Sequence, residues 1–143
     1  MRSDADTLQT ELSRQGYKLT RQRRAVVEVM TRASTRLTAA DVYAKAQRAC
    51  PDLGLTTVYR TLEILEQVGA IRRVHLDDGC EAFAPTAIEH GHYLICDSCR
   101  TTIEFEGCDL SALLNRIAAQ TGFTIEQHWL ELVGRCPACQ KKK

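Results

Sequence analysis

No stretch of this chain approaches the ~20 consecutive apolar residues that a membrane-crossing helix requires. Its N-terminus, MRSDADTLQTELSRQ, likewise lacks the apolar core of a secretory signal. There is no internal repeat and no low-complexity tract beyond the terminal KKK. Net charge is nearly absent, at +1, while 44% hydrophobic and 26% charged residues give the profile of a soluble globular protein rather than a disordered one. These shortages lead to the expectation of a cytoplasmic protein with no membrane partner. A length of 143 residues suffices for one ordinary domain or two small ones, and a small domain often needs a metal as a staple.

Cysteine, by contrast, is plentiful. Seven is a high count for such a chain, and in a reducing compartment it argues for metal ligands over disulfides. The odd number would also leave one thiol over in any all-disulfide scheme. Charge is present but segregated: KLTRQRR (18–24) is basic and EFEGCD (104–109) acidic, so the small net value hides a basic N-terminal face.

Apolar periodicity makes the first half helical. Leu8 and Leu12 form one stripe, Val26, Val29, Met30 and Ala33 a second, Val42, Ala46 and Ala49 a third, and Val58, Leu62 and Leu65 a fourth. Thr20 and Thr38 mark helix starts, the latter in TAAD, a capping box with Asp for Glu; Gly16 and Gly69 mark helix ends. After Gly69 the segments AIRRVH and CEAFA around LDDG predict two short strands and a turn. Helices followed by a hairpin have the layout of a winged helix. Pro85 and TAIEHG suggest a boundary, after which the pattern predicts strand 92–96, strand 101–106, helix 110–120 and strand 124–133. The expected fold is α+β: a winged-helix domain over 1–85, then a small α/β domain over 86–143, to which the family resemblance given below assigns DNA binding and dimerisation with metal binding, respectively.

Cys96 and Cys99 make one CxxC and Cys136 and Cys139 a second, each able to present two thiolates to one tetrahedral ion. A strand–helix–strand unit fits between the pairs and would return the second beside the first, giving a closed structural Zn²⁺ site. His90 and His92 alternate as strand residues do and would leave one face together. All four histidines, His75, His90, His92 and His128, lie after residue 74, with Cys80, Glu104, Glu106, Cys108 and Asp109 among them. This is the composition of a second, exchangeable divalent-metal site. Solvated histidines are the plainer alternative. His75 and Cys80 flank LDDG and would face each other across the hairpin.

GLTTVYRTLEILEQVGAIRRV (54–74) carries the other signal. Thr56 and Thr57 begin a helix whose first exposed turn presents Tyr59 and Arg60, a geometry suited to entering a DNA major groove. Lys18, Arg21, Arg23 and Arg24 at an earlier helix start, and Arg72 and Arg73 on the wing, would supply phosphate contacts. A merely solvated helix face is the alternative.

KLTRQRRAVVEVM, TAADVY, GLTTVYRTLEILEQVGAI, the HxH before CDSC and the terminal CPAC together resemble the ferric uptake regulator (Fur) family over nearly the whole chain, most closely its zinc uptake branch. The resemblance implies a homodimer on a palindromic double-stranded operator with metal as corepressor. It implies that Tyr59 and Arg60 contact base and phosphate and that Lys18 reaches the minor groove. Departures set the subtype. The common motif is HxHxxCxxC, but here Gly91 and Tyr93 stand where its two imidazoles belong, Arg36 replaces a linker histidine and Ala84 a carboxylate. His90, His92 and His128 match the family's other site, where Ser111 stands at the usual carboxylate position and Cys108 or Glu106 would replace it. Glu104 matches a carboxylate ligand of some zinc and peroxide sensors.

Thiolate and imidazole donors favour Zn²⁺ over iron or manganese at the sensory site. The sequence thus leads to a zinc-responsive repressor of metal uptake genes. The alternatives are an iron- or manganese-responsive regulator and a constitutive DNA-binding protein with structural zinc only. An enzyme is not expected: CPAC echoes half of a zinc deaminase signature, but the HxE that supplies its catalytic Glu is missing.

Overall fold

Side-chain caps set where the early helices begin. In the computed structural model, which describes residues 5–75, 79–86 and 91–142 and only the backbone of His75, Thr20 accepts from the Arg23 N–H at the head of α2 (Arg21–Arg32). Thr38 and Asp41 close a reciprocal capping box at the head of α3 (Ala39–Ala46), with bonds of 3.1 and 3.0 Å. The box satisfies two helix-end donors at once. Thr38→Ala is expected to lower the unfolding free energy by about 1 kcal/mol in urea titration; an unchanged midpoint would mean that the box does not hold α3.

α1 (Ala5–Arg14) and α4 (Leu55–Gln67) complete the helical part. Their inward stripes, Leu8 and Leu12, Val26 and Met30, Val42 and Ala46, and Val58, Leu62 and Leu65, meet in one core. Ala49 departs from its expected place: α3 stops at Ala46, Ala49 is exposed, and Cys50 takes the buried position. Thr56 and Thr57 lie in the first turn of α4, with Gly54 at the N-cap position and no side-chain cap. The chain then leaves the left-handed Gly69 into an antiparallel hairpin of β1 (Ile71–His75) and β2 (Glu81–Pro85). Leu37 bridges to Phe83 beside it, which completes the wing.

The second part is a sheet in the order β4-β3-β5, with β3 (His92–Cys96) central, β4 (Thr102–Phe105) antiparallel to it and β5 (Glu131–Gly134) parallel to it. The parallel pairing needs a crossover, which α5 (Ser111–Thr121) provides. A short α6 (Pro137–Gln140), not anticipated from sequence, starts with proline at its first turn, where no N–H is needed. The expected strand 124–133 is only four residues long, because β3 offers pairing only from Tyr93 to Cys96. Among the described residues no helix is long and apolar enough to cross a membrane.

Register decides which side chains share a face. His92, Leu94 and their partners Phe105, Ile103 and Leu132 lie on one face; Tyr93 and Ile95, with Glu104, Thr102 and Glu131, lie on the other. That second face meets the wing: Val74 and Ala84 are buried with Tyr93 and Ile95. The Arg36 N–H also donates to Thr102 Oγ1 at 3.1 Å, and Thr35 bridges to Thr101. On the first face His92 is buried, but the rest is open among the described residues. Leu94, Ile103 and Leu132 are exposed, and α5 buries none of its side chains.

Candidate metal centres and nucleic-acid interface

β3 ends in Cys96, and its parallel partner brings Gly134 alongside, so Cys136 at the head of α6 and Cys139 within it arrive two and five residues later at the first pair. The Asp97 N–H to Gly134 carbonyl bond, 2.9 Å, fixes that approach. All four sulfurs lie within 4.8 Å of one another, with Cys96 and Cys139 buried and Cys99 exposed. The turn between Cys99 and Thr101 is made by Arg100 in the left-handed region, φ 64°. Backbone N–H groups, that of Cys136 first, bring the Cys96 thiol down to about 6. The Cys139 thiol is pushed up to about 11, foremost by its contact with the Cys136 sulfur. Four sulfurs this close resist ionising together unless a cation neutralises them. The donor set suits a tetrahedral zinc.

A second cluster forms at the other end of β3. His92 Nε2 lies 2.8 Å from Cys108 Sγ, which lies 3.3 Å from His128 Nε2. The imidazoles stack at 5.1 Å and Phe105 tilts against His92, which is 1% exposed. The Leu130 N–H donates to His92 Nδ1 at 3.0 Å, so the neutral ring carries its proton at Nε2, facing the sulfur. A metal held at Nε2 requires the neutral ring to carry its proton at Nδ1 instead, so His92 would give up the Leu130 N–H contact. The three donors lie within 4.8 Å of one another and their chemistry fits a divalent ion of borderline softness.

The remaining sensory candidates do not join this cluster. Glu104 is on the opposite face, beside Tyr93 in the register, and Glu106 is exposed past the end of β4. Strand alternation separates both from His92. His90 lies outside the described residues. For His75 and Cys80 the backbone register places Glu81 opposite His75, with Cys80 an exposed residue just before β2, and the side chain of His75 lies outside the described residues. The Leu130 N–H was not foreseen, and no side-chain motif can signal a backbone donor.

Between β2 and β3, Gly91 and Tyr93 stand where two imidazoles of the common motif would be, and they make other contacts. A Cβ on Gly91 would collide with the Glu104 carboxylate. The buried Tyr93 hydroxyl donates to the Pro85 carbonyl at 3.1 Å and lies 3.2 Å from Thr86 Oγ1. Arg72 lies over the Tyr93 ring at 5.7 Å and donates to the Gly91 carbonyl.

On the far side of the helical part, the first turns of α4 face outward. Tyr59 is 56% exposed, with Thr56 and Arg60 exposed beside it. Lys18, Arg23, Thr57 and Arg60 line one cleft between the two helix starts, and Arg21 and Arg24 are exposed nearby. Arg23 is oriented by donating to the Lys18 carbonyl at 2.7 Å. Arg73 is committed elsewhere, paired at 2.9 Å with both Glu66 and Glu81, which removes it from the set of available phosphate contacts.

A family model described as the ferric uptake regulator family matches residues 14–133. The ferric uptake regulation protein of Bordetella parapertussis is 35% identical over 134 residues, covering 93% of this chain and 96% of its own. A solved structure of a zinc-bound manganese uptake regulator, 30% identical, superposes with a TM-score of 0.67 over 91% of this chain and 98% of its own. A zinc uptake regulator solved with zinc and DNA reaches a TM-score of 0.75 over 96% of this chain and 93% of its own; at 22% identity it speaks for the fold alone.

Proposed function

The chain belongs to the ferric uptake regulator family, whose members are transcription regulators and not enzymes, and from that premise we propose that it is a zinc-responsive repressor. It binds a palindromic double-stranded operator as a homodimer when its second metal site is loaded, in the cytoplasm, and controls metal uptake genes. The winged-helix domain spans 1–85 and the dimerisation domain 86–143. The observation that carries this reading is the coexistence of two donor clusters of different kinds. Four thiols suit a permanent ion; two imidazoles and one thiol suit an exchangeable one.

His92, Cys108 and His128 hold the regulatory ion, with His90 the candidate for a fourth ligand. A dication there supplies one positive centre that draws three chain segments together. His92 sits in β3, Cys108 in the loop before α5, and His128 just ahead of β5. Fixing the last two steadies the start of α5 and β5, whose Leu132 shares the exposed apolar face with Leu94 and Ile103. That face supports a second copy as its partner. The dimer so ordered sets the spacing of its two α4 helices, and the free-energy difference between ordered and unordered dimers is the coupling between metal and operator. The thiol among the donors supports Zn²⁺; iron or manganese would be better served by a carboxylate.

Tyr59 reads bases, while Arg60, Lys18, Arg21 and Arg23 contact phosphates, with Thr56 and Thr57 at the helix start. Tyr59→Ala is expected to reduce discrimination between operator and random DNA. Arg60→Ala is expected to weaken both and to flatten the salt dependence by about one unit of slope. Fluorescence anisotropy across a salt series checks both; equal weakening on both DNAs by Tyr59→Ala would exclude it as a base reader.

A further inference from the structure

We propose that Tyr93 is a positioning residue for operator recognition: with Thr86 and Arg72 it locks the three-stranded sheet to the wing without a metal, so that the geometry of the dimer reaches its two α4 helices. The consequence for the operator rests on the reading of the chain as a dimeric, metal-ordered repressor; the lock itself does not.

Tyr93 is buried, so its hydroxyl must find partners within the protein. It donates to the Pro85 carbonyl at 3.1 Å, which leaves the Thr86 hydroxyl, 3.2 Å away, to donate to the phenol oxygen. The Thr86 N–H in turn donates to the Ala70 carbonyl at 2.9 Å, and the Ala70 N–H donates to the Leu65 carbonyl, also at 2.9 Å, in the last turn of α4. A continuous run of hydrogen bonds therefore joins the central strand of the sheet to the C-terminal end of α4. The Arg73–Glu66 pair ties β1 to the same turn. Arg72 closes the contact from the wing, lying over the Tyr93 ring at 5.7 Å and donating to the Gly91 carbonyl. Val74 and Ala84 of the wing and Ile95 of the sheet are buried around it.

Neither cluster of metal donors includes Tyr93, Thr86 or Arg72. At the other end of the seam the Arg100–Asp41 pair is 3.6 Å long with Arg100 exposed, so water and salt screen it. The buried contact at Tyr93 is the firmer tie. His92 and Tyr93 are consecutive in β3 and leave opposite faces, His92 into the second donor cluster and Tyr93 against the wing. A sheet ordered at His92 thus carries the wing and α4 with it as one body. With the lock broken, each α4 would still bind its half-site, but the spacing of the two would no longer be fixed. The advantage of two linked half-sites would then fall.

The test uses full-length protein and two variants, Tyr93→Phe, which keeps the buried ring, and Thr86→Val, which keeps the shape. It measures zinc per subunit and hydrogen exchange at the Thr86 amide. It also measures affinity for a palindromic operator selected from random DNA on the parent protein, and for one half of that operator. Both variants are expected to hold two zinc per subunit and to match the parent on the half-site, yet to lose at least about tenfold of the preference for the full operator. The double variant is expected to be no worse than Tyr93→Phe, since both changes act on one hydroxyl contact. Thr86 should exchange faster in the variants, and in the parent it should be protected alike with one zinc per subunit or two. An unchanged operator preference in both variants, equal weakening on half-site and operator, or protection of Thr86 in the parent only after the second zinc is taken up would overturn the proposal. Failure of the underlying reading has a different signature: the parent itself shows no preference for the full operator at any zinc level, while Thr86 still exchanges faster in the variants.

Discussion

Cys96→Ser, or the same change at Cys99, Cys136 or Cys139, is expected to give protein without the structural zinc and without a stable dimer. The cluster lies at the C-terminal end of β3 and ties α6 to it, in a sheet of only three strands whose open face leaves Leu94 and Ile103 exposed. So small a unit has little core of its own. A structural zinc contributes on the order of 10–16 kcal/mol in zinc-finger peptides, which exceeds the whole stability of many domains. Removing one of four thiolates forfeits a large share of that. Metal analysis, sedimentation and thermal unfolding together read the outcome; a soluble zinc-free dimer with the parent's melting midpoint would remove the assignment.

His92→Ala is expected to do the opposite: to keep one zinc per subunit, stay folded and dimeric, and lose the metal-dependent gain in operator affinity. Couplings of this kind are typically about 1–3 kcal/mol, a 5- to 150-fold change in affinity. Because His92 is almost fully buried, its truncation also costs packing against Phe105. Cys108→Ala is therefore the companion variant, from a half-buried loop position, and is expected to lose the same gain. Operator titrations at fixed free zinc check both. Full metal response in the two variants would shift sensing to His90, His75 or Cys80.

Much of the scaffold was legible because it is written locally. Thr20, the Thr38 box, and the stripes of α2 and α4 depend on residues three or four apart, and the structure has them as the sequence suggests. The two CxxC pairs were equally legible, since thiols so spaced have little else to do together. The second cluster was legible only as an inventory. Sorting His92, Cys108 and His128 from Glu104 and Glu106 requires the β3–β4 register, and a one-residue slip would exchange the faces. The hairpin itself was legible, but its register was not: Glu81, not Cys80, stands opposite His75, so five residues rather than four separate the paired strand ends. Strand β5 was overextended because alternating hydrophobicity in 124–133 says nothing about how much partner strand exists. The Tyr93–Arg72 contact at the hinge could be read only as a departure from a motif, since its partners, the Pro85 and Gly91 carbonyls, are backbone.

Operator affinity measured against buffered free Zn²⁺, Fe²⁺ and Mn²⁺, on protein whose four-thiol site is already filled, tests the central claim most directly. The expected result is tight, sequence-selective binding that rises with free zinc and saturates as a second zinc per subunit is taken up, with iron and manganese giving little at matched free concentrations. Operator binding that is equally tight with one zinc per subunit and indifferent to every added ion would contradict it, leaving a constitutive DNA-binding protein with structural zinc only.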